Sequence, residues 1–92
     1  MLSEWEFRKR GQVLDYLRQG RVIVFRNDEF PHREGVARRV RNGIRYRLFE
    51  KEGDLRFLIY ERIVTENDIW ELMDCGWQPS LGTQRDYVRR RR

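Results

Sequence analysis

The apolar positions of this chain change period along its length, and each period predicts an element. Between residues 3 and 19, Trp5, Val13, Tyr16 and Leu17 make an apolar stripe at helical spacing, with Leu14 beside it. Ser3 stands at the N-cap position, and Glu4 and Glu6 follow in the first turn, where the helix dipole favours anions. Gly11 weakens the middle by about 1 kcal/mol relative to Ala. Gly20 sits where a left-handed residue closes a helix, with Arg18 in the last turn. Arg21 to Arg26 then reads Arg-Val-Ile-Val-Phe-Arg, an unbroken β-branched run that predicts a strand buried on both faces and central in its sheet. Residues 27–35 are rich in Asn, Asp, Pro and Gly and predict a loop.

From residue 36 to 64 the pattern alternates, and Asn42-Gly43 marks a hairpin turn. A two-residue Asn-Gly turn pairs Arg41 with Ile44 and places Arg39 and Arg41 on the face of Ile44, Tyr46 and Leu48. A three-residue loop, Arg41-Asn42-Gly43, pairs Val40 with Ile44 and Val36 with Leu48. A one-residue slip turns every side chain over, so burial selects the three-residue loop, with Gly43 left-handed at a bulge. The next turn, around Glu52-Gly53, pairs Lys51 with Asp54, Leu48 with Phe57 and Tyr46 with Ile59. The expected buried face is Val36, Val40, Ile44, Tyr46, Leu48, Phe57, Ile59 and Ile63. Arg38 and Glu61 fall on that face and require the rim or each other. Residues 31–43 also admit a helix, with Pro31 at its first position and Val36, Ala37 and Val40 on one side. Gly35, the β-branched residues and the hairpin signal favour the strand.

Thr65 is an N-cap with Asp68 three residues on, and the following helix runs to about Asp74, with Ile69, Leu72 and Met73 inward and Trp70 or Trp77 flanking. Gly76 ends it, and Gln78 to Thr83 read as loop. The fold expected is α+β: an antiparallel three- to four-stranded β-meander with N-terminal and C-terminal helices packed on one face. Residues 1–84 make a single domain and residues 85–92 a basic C-terminal tail.

Charge adds a candidate partner. The net charge is +5, and 18 of the 20 basic residues are Arg. Residues 21–64 carry +4, residues 65–84 carry −4 and residues 85–92 carry +4. Arg suits phosphate, because its planar fork makes bidentate contacts and stacks on bases; a genome rich in G and C produces the same bias without any ligand. The longest apolar runs fall far short of the ~18 residues that span a bilayer, and no signal peptide is expected at the N-terminus. Cys75 is the only cysteine, which rules out an internal disulfide and fits a cytoplasmic protein.

Four constellations carry candidate chemistry. The expected outer sheet face presents Arg39, Arg45, Arg47, Arg56 and Arg62 among Phe49, Leu58 and Tyr60. Arg39 stands opposite Arg45, a repulsion that a bound anion relieves. Guanidinium on phosphate with aromatic rings on bases is the chemistry of single-strand binders. The same pattern also describes a solvated face whose Arg stems cover the rings, with Arg56 over Phe49 as an internal cation–π pair. The tail, including Arg85, Arg89 and Arg90, extends the basic surface. His32 is the only histidine and the one general acid–base candidate, in a loop with no assignable partner. Glu66, Asp68, Glu71 and Asp74 ring Trp70 and Trp77, an anchor for a protein partner if a Trp faces out.

No catalytic, cofactor or metal motif is expected; one Cys and one His do not build a zinc site. The functional expectation is a non-enzymatic nucleic-acid-binding accessory protein, favouring single strands or RNA. The alternatives are a small regulatory adaptor that binds a larger protein through the Trp helix and, third, a small basic ribonuclease using His32. No membrane is expected as a partner.

Overall fold

In the computed structural model, which describes residues 4–83 and the side chains from Arg8 onward, the first apolar stripe forms α1, Glu4–Arg18. Among its described side chains Val13 and Leu17 are buried, and Gly20 at φ +84° takes the left-handed position after it. The expected N-cap Ser3, the side chain of Trp5 and the tail arginines lie outside the described residues.

Five strands and a second helix follow: β1 (Ile23–Arg26), β2 (Arg33–Val40), β3 (Gly43–Glu52), β4 (Leu55–Val64), α2 (Glu66–Asp74) and β5 (Gln78–Leu81). All pairings are antiparallel, in the order β4-β3-β2-β1-β5. β1 is interior, and Val22, Ile23, Val24 and Phe25 are all buried, as an unbroken apolar run requires. Residues 33–40 are strand, so the helical alternative for residues 31–43 does not occur. The sheet has five strands instead of three or four, because Gln78–Leu81 adds to β1 as an edge strand and is no loop. A proline in a strand is tolerated at an edge, where its missing N–H is not needed by a neighbour, and Pro79 lies in such a strand.

Both helices pack on one face. Val13 and Leu17 of α1 and Ile69 and Met73 of α2 meet Ile23, Phe25, Ala37, Ile44 and Tyr46 in one core. α2 starts with a full capping box: the Thr65 hydroxyl accepts from the Asp68 N–H at 3.2 Å, and the Asp68 carboxylate accepts from the Thr65 N–H at 2.8 Å. The hydrogen bonds that this carboxylate accepts from the Thr65 N–H and, second, from the Thr65 hydroxyl at 3.0 Å hold the Asp68 carboxyl below its usual range. Asn27 ties the first loop to the end of α2, accepting from Glu29 N–H at 3.0 Å and donating to the Cys75 carbonyl at 3.2 Å.

The hairpin registers differ from expectation. Val40 pairs with Gly43 across a two-residue turn, Arg41-Asn42, so Arg39 faces Ile44, Arg38 faces Arg45 and Val36 faces Arg47. Neither Asn42-Gly43 nor the three-residue loop is the turn. Gly43, at φ +144°, is drawn into the first pair and lies so close to β4 that a Cβ there would be 2.7 Å from Ile63 Cγ2. On the second hairpin Glu52 pairs with Leu55, and the register shifts between Leu48 and Phe49 at a β-bulge.

The expected buried face therefore divides. Ile44, Tyr46 and Leu48 lie under the helices, while Val36, Val40 and Ile63 lie on the other face and Ile59 is exposed at the bulge. Arg38 and Glu61 are also on the face away from the helices, where Glu61 pairs with Arg47. That second face has a core of its own, in which Val22, Val36 and Phe49 cluster with Leu58 against them.

Candidate nucleic-acid interface

Because the sheet buries residues on both sides, its arginines do not share one surface. Arg45, Arg47 and Arg56 lie on the face away from the helices; Arg39 and Arg62 lie on the other. The expected opposition of Arg39 and Arg45 is replaced by that of Arg38 and Arg45.

The two rings expected to stack on bases also part. Phe49 is 0% exposed, and the Arg56 guanidinium carbon stands 4.0 Å from its ring centroid. The cation–π alternative describes this contact, and the ring offers no free face to a base. Tyr60 is 42% exposed, lies opposite Leu48 and meets the edge of Tyr46 at 6.4 Å between centroids. Its hydroxyl accepts from Arg62 at 3.1 Å. Burial, with the nearby Tyr60 second, pushes the Tyr46 phenol up to about 12.

Carboxylates engage many of the remaining cations. Arg10 pairs with Asp74. Arg18 grips both oxygens of Glu66 at 2.9 and 2.6 Å, which holds the Glu66 carboxyl below its usual range. Arg47 pairs with Glu61. Glu34, almost fully buried, gathers one cation from each of three other strands: Arg26 at 3.0 Å, Arg56 at 3.6 Å and Lys51 at 3.8 Å. Two further arginines lie against rings, Arg21 at 5.7 Å from Tyr16 and Arg33 at 5.8 Å from Phe30.

Arg8 and Arg38 are engaged as well, and three arginines remain. Arg39, Arg41 and Arg45 have no ion pair, hydrogen bond or ring contact through their side chains among the described residues. All three sit at the turn end of the β2–β3 hairpin, within seven residues of sequence. Arg39 and Arg41 also border a groove of about 360 Å³, whose other walls are the end of α1 and the start of α2. Arg39 and Arg41 share this groove, while Arg45 lies on the opposite face of the sheet; like charges brought together repel one another, and an anion between Arg39 and Arg41 removes that cost.

Arg39 and Arg45 are among the residues the sequence pattern singles out, whereas Arg41 falls in the expected loop and is not. The basic pair flanking Val40, Arg39 and Arg41, with no acid between Gly35 and Phe49, was the available signal. Glu34 likewise falls in the expected loop, residues 27–35.

Trp70 and Trp77 are each half-buried. The Arg10 guanidinium stands 5.6 Å from the Trp70 ring, and Trp77 packs on the core and stacks on Phe30 at 6.0 Å between centroids. His32 is exposed in the turn before β2, and its side chain has no hydrogen bond among the described residues. Cys75 is exposed at the end of α2. Among the described residues no three His, Cys, Asp or Glu side chains gather as a metal site, and no helix is long and apolar enough to cross a membrane. Comparison of the chain with protein-family models, with curated proteins and with solved structures finds no match.

Proposed function

We propose that this protein is a nucleic-acid-binding accessory module that holds phosphates with the turn end of the β2–β3 hairpin, through Arg39, Arg41 and Arg45. One observation carries the reading. Most of the basic side chains in the described residues are committed to a carboxylate, a phenol or a ring, and these three, collected at one end of the molecule, are not. Arginine is the cation suited to phosphate oxygens, through its fixed fork of donors. The reading moves the contact surface from the middle of the sheet to one end of it. Arg47, Arg56 and Arg62 become internal partners, and Phe49 becomes core. Arg89 and Arg90, beyond the described residues, belong to the reading as further phosphate contacts.

The test is a salt titration of binding to single-stranded RNA, single-stranded DNA and duplex DNA. The observed affinity should fall linearly on a log–log plot, because each phosphate neutralised releases condensed counterions at a slope of about 0.7–0.9. Absence of binding to every ligand at ~50 mM salt, where non-specific electrostatic association should already show, removes the reading.

A further inference from the structure

The groove beside the hairpin turn is more than a gap between arginines. Its lining is largely apolar: Leu17 from α1, Ile44 from β3 and Val64 from β4, all nearly buried, with the exposed Ile63 of β4 beside Gly43. Its rim is cationic, with Arg39 and Arg41 on the hairpin side. Arg18 stands at the opposite rim and is locked to Glu66 at 2.6 Å, so its charge is already matched. A volume of about 360 Å³ lies within the range of sites that hold small organic ligands, about 300–1,000 Å³.

We propose that this groove receives one unpaired nucleotide of a single strand, with its base on the apolar floor and its flanking phosphates on Arg39 and Arg41. The inference rests on the reading that the hairpin arginines contact nucleic acid, and it adds which part of the strand enters the protein. The two halves of the groove demand a ligand with two halves. A bare anion would satisfy Arg39 and Arg41 and leave the exposed Ile63 facing water. An apolar ligand would cover the floor and strip water from two guanidiniums without repayment. A nucleotide carries a flat base with apolar faces and an anion a few bonds apart. In a duplex the bases are stacked inside and only phosphates and groove edges are presented, so the floor is reached only by a base outside a helix. The groove also supplies what the sheet does not, since Phe49 is covered by Arg56.

The experiment compares an ordinary single strand with an abasic strand of equal length, on the native chain and on Ile63→Ser. Ile63 is partly exposed, so this variant is expected to fold. Methyl resonances of Ile44, Ile63 and Val64 in the native chain provide a second readout independent of any variant. The native chain should bind the ordinary strand about tenfold more tightly than the abasic one, the equivalent of burying some tens of Å² of apolar surface. Ile63→Ser should narrow that ratio while leaving abasic binding unchanged, and the three residues' methyls should shift with the ordinary strand only. Equal affinity for both strands with unmoved methyls, in a chain that still needs Arg39 and Arg41 for binding, overturns the groove assignment and leaves the phosphate reading standing. Failure of both strands to bind at low salt overturns the two together.

Discussion

The guanidinium of Arg56 lies over the ring of Phe49, 4.0 Å from its centroid, and reaches Glu34 at 3.6 Å. A ring, a cation and a carboxylate from three different strands thus close the face of the sheet that carries no helix. Phe49→Leu should cost about 1–2 kcal/mol of stability, because it keeps much of the volume but loses the cation–π contact. Chemical denaturation measures that cost. Its affinity for nucleic acid should equal that of the native chain; a selective loss for single strands would return Phe49 to the binding surface.

Glu34 lies within 4 Å of Arg26, Lys51 and Arg56. Glu34→Ala leaves three cations facing one another around a buried position. The expected loss is about 2–3 kcal/mol, less than the 3–5 typical of a wholly buried pair because the Arg26 side chain is largely in water. A lower urea midpoint with an unchanged m-value is the result to look for. Arg26→Ala should cost less, since Lys51 and Arg56 remain beside the carboxylate.

Gly35 is needed for space. A Cβ on it would lie 2.5 Å from the Tyr46 hydroxyl oxygen and 2.7 Å from its Cε1. Gly35→Ala should therefore cost about 1–3 kcal/mol through displacement of a buried ring. Combined with Tyr46→Leu, which vacates the space, the two losses should sum to less than their separate values, as thermal or urea melts of the single and double variants will show.

Tyr46 makes stability fall at high pH. Its phenol is raised from 10.0 to about 12 in the folded chain, so the folded state holds a proton that the unfolded state has begun to release. The contribution is complete below pH 10 and is lost as pH rises from there through about 12. The loss amounts to roughly 2–3 kcal/mol. Urea midpoints taken across this window should decline, and they should decline less in Tyr46→Phe.

Binding should separate the free arginines from the paired ones. Replacing Arg39, Arg41 and Arg45 together by Ala should reduce the salt slope by about 2–3, at a slope of 0.7–0.9 per phosphate. Replacing Arg47, Arg56 and Arg62 should alter stability with little effect on the slope. The opposite pattern would put the contact surface back on the middle of the sheet.

The elements were legible in the chain because their signals are local. The stripe of Val13 and Leu17, the Thr65–Asp68 cap and the run from Val22 to Phe25 each act within one or two turns of their own backbone, and each appears as expected. β5 was not legible, because Gln78–Leu81 has neither alternation nor β-branched residues and becomes a strand only by pairing with β1. The registers were not legible either. Burial selects a register only where one face of a sheet meets water, and here Val36 and Phe49 are buried on one face while Ala37 and Tyr46 are buried on the other. With both alternations rewarded, a slip of one residue costs little that sequence can reveal, yet it turns over every arginine on the strand. Which guanidiniums find a carboxylate and which remain at the hairpin end was settled by contacts between strands far apart in sequence, as when Glu34 draws in Arg26, Lys51 and Arg56.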